Sequence, residues 1–146
     1  MSLRSGFTDT EWRMLQKTPI WAFIVTASAD GKVDPKEIEA FTKELGEAGL
    51  YKDELAREVF TSLSAELVDV LPSCLVPPQE LLAGLRDVGS LLDKKAATHA
   101  QGFKGAVLVI CKNVAEASGR RLRGKISKEE KERIVVVALA LGANIS

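Results

Sequence analysis

Apolar residues recur every three or four positions along most of this chain, the spacing of helices that bury one face. Thr8-Asp9-Thr10-Glu11 has the form of a capping box, with Glu three places after Thr, so a short helix is expected to start there. Pro19 disfavours helical geometry at Thr18, which predicts a stop near Lys17 and a fresh start at Pro19. Residues 20–27 are apolar nearly all round and read as a central buried helix. Ile38, Phe41 and Leu45 then predict an amphipathic helix closed by Gly46 and Gly49. Leu55, Val59, Leu63, Leu67 and Val70 form the stripe of the next helix, after which Pro72 and Pro77-Pro78 break the chain. A further helix is expected from Gln79 to His99, with Leu82, Leu85, Val88 and Leu92 inward and Gly102 as its punctuation.

Phe103 to Ala117 repeats the buried character, and Lys128 to Leu141 closes the chain. The β-branched residues 134–137 also suit a strand, but the charged residues 128–133 before them favour a helix, and no partner strand is visible. The expected architecture is all-α: a single-domain helical bundle of about six or seven helices over residues 1–146. Residues 1–6 are expected to be flexible at its start.

One stretch occurs twice. Ala29-Asp30-Gly31-Lys32-Val33-Asp34-Pro35-Lys36-Glu37 returns in worn form as Arg123-Gly124-Lys125-Ile126-Ser127-Lys128-Glu129-Glu130, at a constant offset of 93 residues. An apolar run precedes each copy and an amphipathic run follows it. The bundle is therefore expected to consist of two related, pseudo-symmetric halves, with function sought at the turns.

Composition narrows the possibilities. The chain is 46% hydrophobic and 27% charged with zero formal charge, so no global field draws it to nucleic acid or an anionic membrane. Locally the balance is uneven. Residues 30–69 hold eleven acidic and five basic side chains, whereas 112–133 hold eight basic and four acidic. Two cysteines, Cys74 and Cys111, are too few for a disulfide framework or a zinc site, and Cys111 reads as a small core hydrophobe. The first six residues lack the pattern of a signal peptide, and no apolar run is long enough to span a membrane. A reducing cytosol is the expected compartment.

The turns admit two readings. As helix starts, Asp34 suits the cap, Pro35 the first helical position and Glu37 the third, a capping arrangement that Ser127, Lys128, Glu129 and Glu130 repeat. As a cation site, Gly31 at the sixth place of a calcium loop puts Asp30 at the fifth, Asp34 at the ninth and Glu37 at the twelfth. The first and third places are neutral Thr26 and Ser28, so only the second half of an EF-hand loop is present. In the later turn Arg123 replaces Asp30. Its guanidinium is suited to pairing with Glu130 in place of a metal charge.

The order of these motifs over roughly Pro19 to Gly142 resembles the TerB-like family of tellurite-resistance proteins. That resemblance implies a helical bundle of two pseudo-symmetric halves without catalytic activity, whose acidic turns take a divalent cation (calcium, magnesium or manganese). It also implies protein partners in bacterial stress-response or membrane-associated assemblies. Carried over by position, the ligands are Asp30, Asp34 and Glu37, with Glu130 and Glu129 in the second turn. An EF-hand-like calcium-responsive regulator is the alternative, and a hydrolase using carboxylates stands third.

Other constellations are weaker. Arg120, Arg121, Arg123 and Lys125 form a basic segment suited to an anion or a protein partner, but without interleaved aromatics it gives no nucleic-acid signal. The lone histidine, His99, has no nucleophile pattern nearby and reads as a helix-end or surface residue. Phosphate-cradling glycine motifs are absent from the sequence. Trp12 and Trp21 read as core anchors.

Overall fold

The computed structural model describes residues 3–27, 35–118 and 128–143. Within them the chain forms six α-helices and no strand: α1 (Asp9–Ala27), α2 (Pro35–Gly46), α3 (Glu54–Val70), α4 (Pro78–Lys95), α5 (Ala97–Ser118) and α6 (Lys128–Leu141). Short 3-10 turns occupy Leu3–Gly6, Ala48–Leu50 and Leu71–Cys74. The all-α expectation is met, and residues 134–137 are helical.

The capping box at Thr8 is made in both directions. The Glu11 amide donates to the Thr8 hydroxyl at 3.1 Å, and the Thr8 amide donates to the Glu11 carboxylate at 2.8 Å. Beyond it the helix does not stop at Lys17. Pro19 sits inside a continuous α1, and Leu15, Thr18, Pro19, Ile20 and Ala22 are all buried around it. Packing on every side outweighs one lost ladder bond. Thr18 also turns its hydroxyl back to the Met14 carbonyl at 2.8 Å.

Three further expectations need correction. The break between the fourth and fifth helices falls at Ala96, not at Gly102, because Gly102 lies where α5 passes close to Asp53: an added Cβ would meet the Asp53 carboxylate at 2.9 Å. Along α4 the inward leucine is Leu81, while Leu82 is half-buried; on α2, Ile38 is 50% exposed. At the start of the described chain the Leu3 amide donates to both Glu58 carboxylate oxygens on α3, at 2.9 and 3.0 Å.

Helix α1 runs through the middle of the bundle against α3, α4, α5 and α6. Around it, α2 lies on α5 and α3, and α6 lies on α4, α1 and α5. Trp12, Leu15 and Ile20 of α1 meet Phe60 and Leu63 of α3, Leu85 and Leu92 of α4, and Phe103 and Ile110 of α5 in one apolar core. Each such side chain contributes about 1.5–3 kcal/mol by leaving water. Phe60 sits between Tyr51 and Phe103, with centroids at 5.4 and 5.5 Å. Both tryptophans are buried, as expected, with Trp21 lying against Gly84, where a Cβ would come within 2.7 Å of the ring.

The end of α6 is fixed just as tightly. Gly142 takes φ +72° and closes a Schellman motif, with Ala143 donating to the Ala138 carbonyl at 2.9 Å and Gly142 to Leu139 at 3.2 Å. Gly89 of α4 lets the Leu141 carbonyl approach so closely that a Cβ there would lie 2.4 Å from it.

Candidate functional site

The two turns flank helix starts that can be compared directly. α2 begins at Pro35 and α6 at Lys128, again 93 residues apart, so Glu37 and Glu130 are each the third residue of their helix. Both are withdrawn from solvent, at 4% and 6% exposure. Glu11, the third residue of α1, is less deeply set and its capping contacts face water. A carboxylate serving only as a helix cap does not require burial. Each of these two buried glutamates is engaged by other groups. Glu129 is exposed beside Glu130.

The other sequence-derived candidates, Asp30 and Asp34 in the first turn and Arg120, Arg121, Arg123 and Lys125 in the basic segment, lie outside the described residues. Among the described residues no three His, Cys, Asp or Glu side chains gather as a metal-holding group. A cation at the first turn would therefore need oxygens from Asp30 and Asp34 beside Glu37.

Three of the hollows on the described surface border α2, α5 or α6. The first, about 220 Å³, is lined by Phe23 and Ile24 of α1, Ile38, Phe41 and Thr42 of α2, and Leu67, Leu71 and Leu75 at the end of α3. Phe23 and Phe41 stack in its wall at 4.7 Å. A second hollow, about 200 Å³, is acidic and is framed by Glu44, Glu47, Tyr51 and Asn113, with Leu50 and Val109 at its edge. Asn113 donates to the Glu44 carboxylate at 2.8 Å. Burial first, and the Glu44 carboxylate second, push the Tyr51 hydroxyl above the ordinary tyrosine range. The third is an apolar groove of about 380 Å³ between α5 and α6, formed by Leu108, Val109, Ile134 and Val135 and edged by Lys112 and Lys131.

Two polar arrangements escaped the sequence reading. His99 stands in the first turn of α5, with Nδ1 2.8 Å from an Asp53 oxygen, while the other Asp53 oxygen accepts the Ala56 amide at 2.8 Å as the cap of α3. The carboxylate thereby ties the starts of two helices together. No local pattern links Asp53 to a partner 46 residues away. Lys104 is fully buried along its stem, and its ammonium donates to Asp93 at 2.9 Å and to the Gly142 carbonyl at 3.4 Å. Nothing in the local pattern around Lys104 signals that burial.

The thiols are inert by environment. Burial pushes Cys111 up to about 12 and Cys74 up to about 11. Among the described residues no helix is long and apolar enough to cross a membrane.

Comparison with known proteins places the chain by descent. It is 33% identical over 144 residues to the "Uncharacterized protein ORF11'" of Methanothermobacter thermautotrophicus, across 97% of this chain and 93% of that one. The chain belongs to the ORF11' family. The likeness runs nearly from end to end, so it takes in both turns and all six helices, not one shared segment. No family model matches the sequence. No solved structure matches it.

Proposed function

We propose that this ORF11'-family protein is a non-catalytic, TerB-like helical module that holds a divalent cation at its first turn and acts through protein partners. The observation carrying the proposal is the matched burial of Glu37 and Glu130 at the third position of helices that follow the repeated turns. Burying a carboxylate is costly unless charge or hydrogen bonds meet it, and a hard cation is one group that does so while drawing oxygens from the adjoining turn. The donor set fits in the first half, where Glu37 would join Asp30 and Asp34. It does not fit in the second, where the sequence has a basic Arg123 in place of Asp30. A role in tellurite or general stress response is the process that the TerB resemblance suggests.

Calorimetric titration of the full chain with calcium, magnesium, manganese and zinc tests this. At least one metal is expected to bind, with affinity falling about tenfold or more in Asp30→Ala and Glu37→Gln. No binding of any of the four ions by the wild type would overturn the reading.

A second reading, a calcium-responsive regulator, is favoured by the apolar hollow beside the first turn, whose wall includes Ile38 and Phe41 of the helix that the turn leads into. It requires calcium to increase the exposure of that apolar surface. A calcium-dependent rise in fluorescence of an apolar dye, absent in Glu37→Gln, would select it over a static module.

A further inference from the structure

The outer face of α5 joins two surface features of opposite character. On one side lies the acidic hollow with Glu44 and Glu47, and on the other the apolar groove edged by Lys112 and Lys131. Val109 belongs to the lining of both and is 44% exposed. Together they make one strip of surface across α5, with carboxylates on the α2 side, Val109 and Lys112 on α5 itself, and Val135 and Lys131 on α6. Leu50 stands exposed at the acidic end and Val135, 46% exposed, in the groove. Leu139 follows Val135 by four residues and extends the apolar stripe along α6. Among the described residues Glu47, Lys112 and Lys131 have no ion-pair partner.

Scattered exposed leucines and valines are ordinary on a soluble surface; a continuous run of them bounded by unmatched charges of opposite sign suggests an interface. The carboxylates on its α2 side and Lys131 on its α6 side make this surface self-complementary. A twofold axis near its middle would lay each acidic end on the basic end of a second copy and cover the apolar centre. A partner that is purely acidic or purely basic would match only one end.

We propose that the protein forms a twofold dimer through this strip, with Val109 and Val135 at the apolar centre. Glu47 of each copy then faces Lys131 of the other. The interface is independent of any cation at the first turn.

Sedimentation velocity of the full chain, from low micromolar to about 100 µM, reads the association directly. The wild type is expected to dimerise within that range, and Val135→Asp to be monomeric with an unchanged helical circular-dichroism spectrum. Glu47→Lys and Lys131→Glu are each expected to weaken the dimer about tenfold, because every substitution places like charges together twice. The double variant Glu47→Lys/Lys131→Glu restores the pairing with signs reversed, and its dissociation constant should return to within about threefold of the wild type. A wild type that stays monomeric throughout would overturn the proposal, including the case in which this face serves a different protein. So would a double variant no tighter than the single ones.

Discussion

Helices α2 and α6 start at equivalent points of the repeat and bury an equivalent glutamate, yet they build different surfaces. On α2 the positions facing the neighbouring hollow are Ile38, Phe41 and Thr42; 93 residues later they are Lys131, Ile134 and Val135. Phe41 stacks on Phe23 and narrows its site to a hollow of about 220 Å³ with an apolar lining. Ile134 has no such aromatic partner, and its groove is wider, at about 380 Å³, with lysines along the rim. A second contrast separates residues 11 and 104. Glu11 pairs with Lys95 at the surface, whereas Lys104 is buried and reaches Asp93 and the end of α6. At equivalent sequence positions side-chain size and charge differ, so the hollow beside α2 is narrow and apolar while the groove beside α6 is wider and edged by lysines.

Substitutions can break or sharpen this contrast. The largest effect is expected at position 41. Phe41→Ala should cost about 3–4 kcal/mol, whereas Ile134→Ala, at a half-buried site, should cost about 1–2 kcal/mol. Urea-unfolding midpoints measure both, and equal losses would remove the distinction between the narrow hollow and the wider groove.

Next is the seat of α6 on α4. Gly89→Ala pushes a methyl group into the Leu141 carbonyl and should cost about 2 kcal/mol. Gly105→Ala, in the middle of α5 with no atom within 4 Å of the added Cβ, should instead stabilise by about 0.5–1 kcal/mol. The same unfolding series reads both signs. A neutral Gly89→Ala would mean that α6 is not held at that point.

Lys104→Ala should cost about 1–2 kcal/mol through lost stem packing and hydrogen bonds; Asp93 is largely exposed and can be rehydrated. Glu11→Gln should alter stability less, and only through its pH dependence. The Lys95 hydrogen bond, then the Thr8 amide, hold the Glu11 carboxyl below its ordinary 4.5. Its small contribution is therefore present above that value and lost as pH falls through the lower folded one. An acid-unfolding limb identical in wild type and Glu11→Gln would show that the pair contributes nothing.

Chemical labelling gives the smallest effect on stability. Cys74 and Cys111 retain their protons far above the ordinary thiol value of 9, so both should resist a thiol reagent at about pH 8 and react once urea unfolds the chain. Their contribution to stability is present below that ordinary value and fades as pH rises towards about 11 and 12. Rapid labelling of the native protein would contradict the packing around α5.

Much of the fold was legible from periodicity. The stripe on α3, the capping box at Thr8, the helical start at Lys128 and the buried character of α1 and α5 all follow from side-chain spacing. Local rules failed where distant packing outweighed them. Pro19 signals a break, but core contacts all around it keep α1 whole. Gly102 signals an end, but it is a point of close approach to Asp53. The candidate site was only partly legible. Helix spacing placed Glu37 and Glu130 at third positions, but nothing local indicated their burial. The strip across α5 joins residues 44 to 135 and has no signature in any one segment.

By itself the sequence determined the all-α class and most of the helices, because backbone hydrogen bonding and amphipathic spacing act over a few residues. Only the tertiary structure decided which apolar residues stay exposed, which charges are buried and which distant groups meet. Val135, Val136 and Val137 show the difference: they are adjacent and chemically identical, yet the first two face outward while Val137 is buried. Helix rotation against α1 and α4 sets that outcome, through contacts with residues far away along the chain.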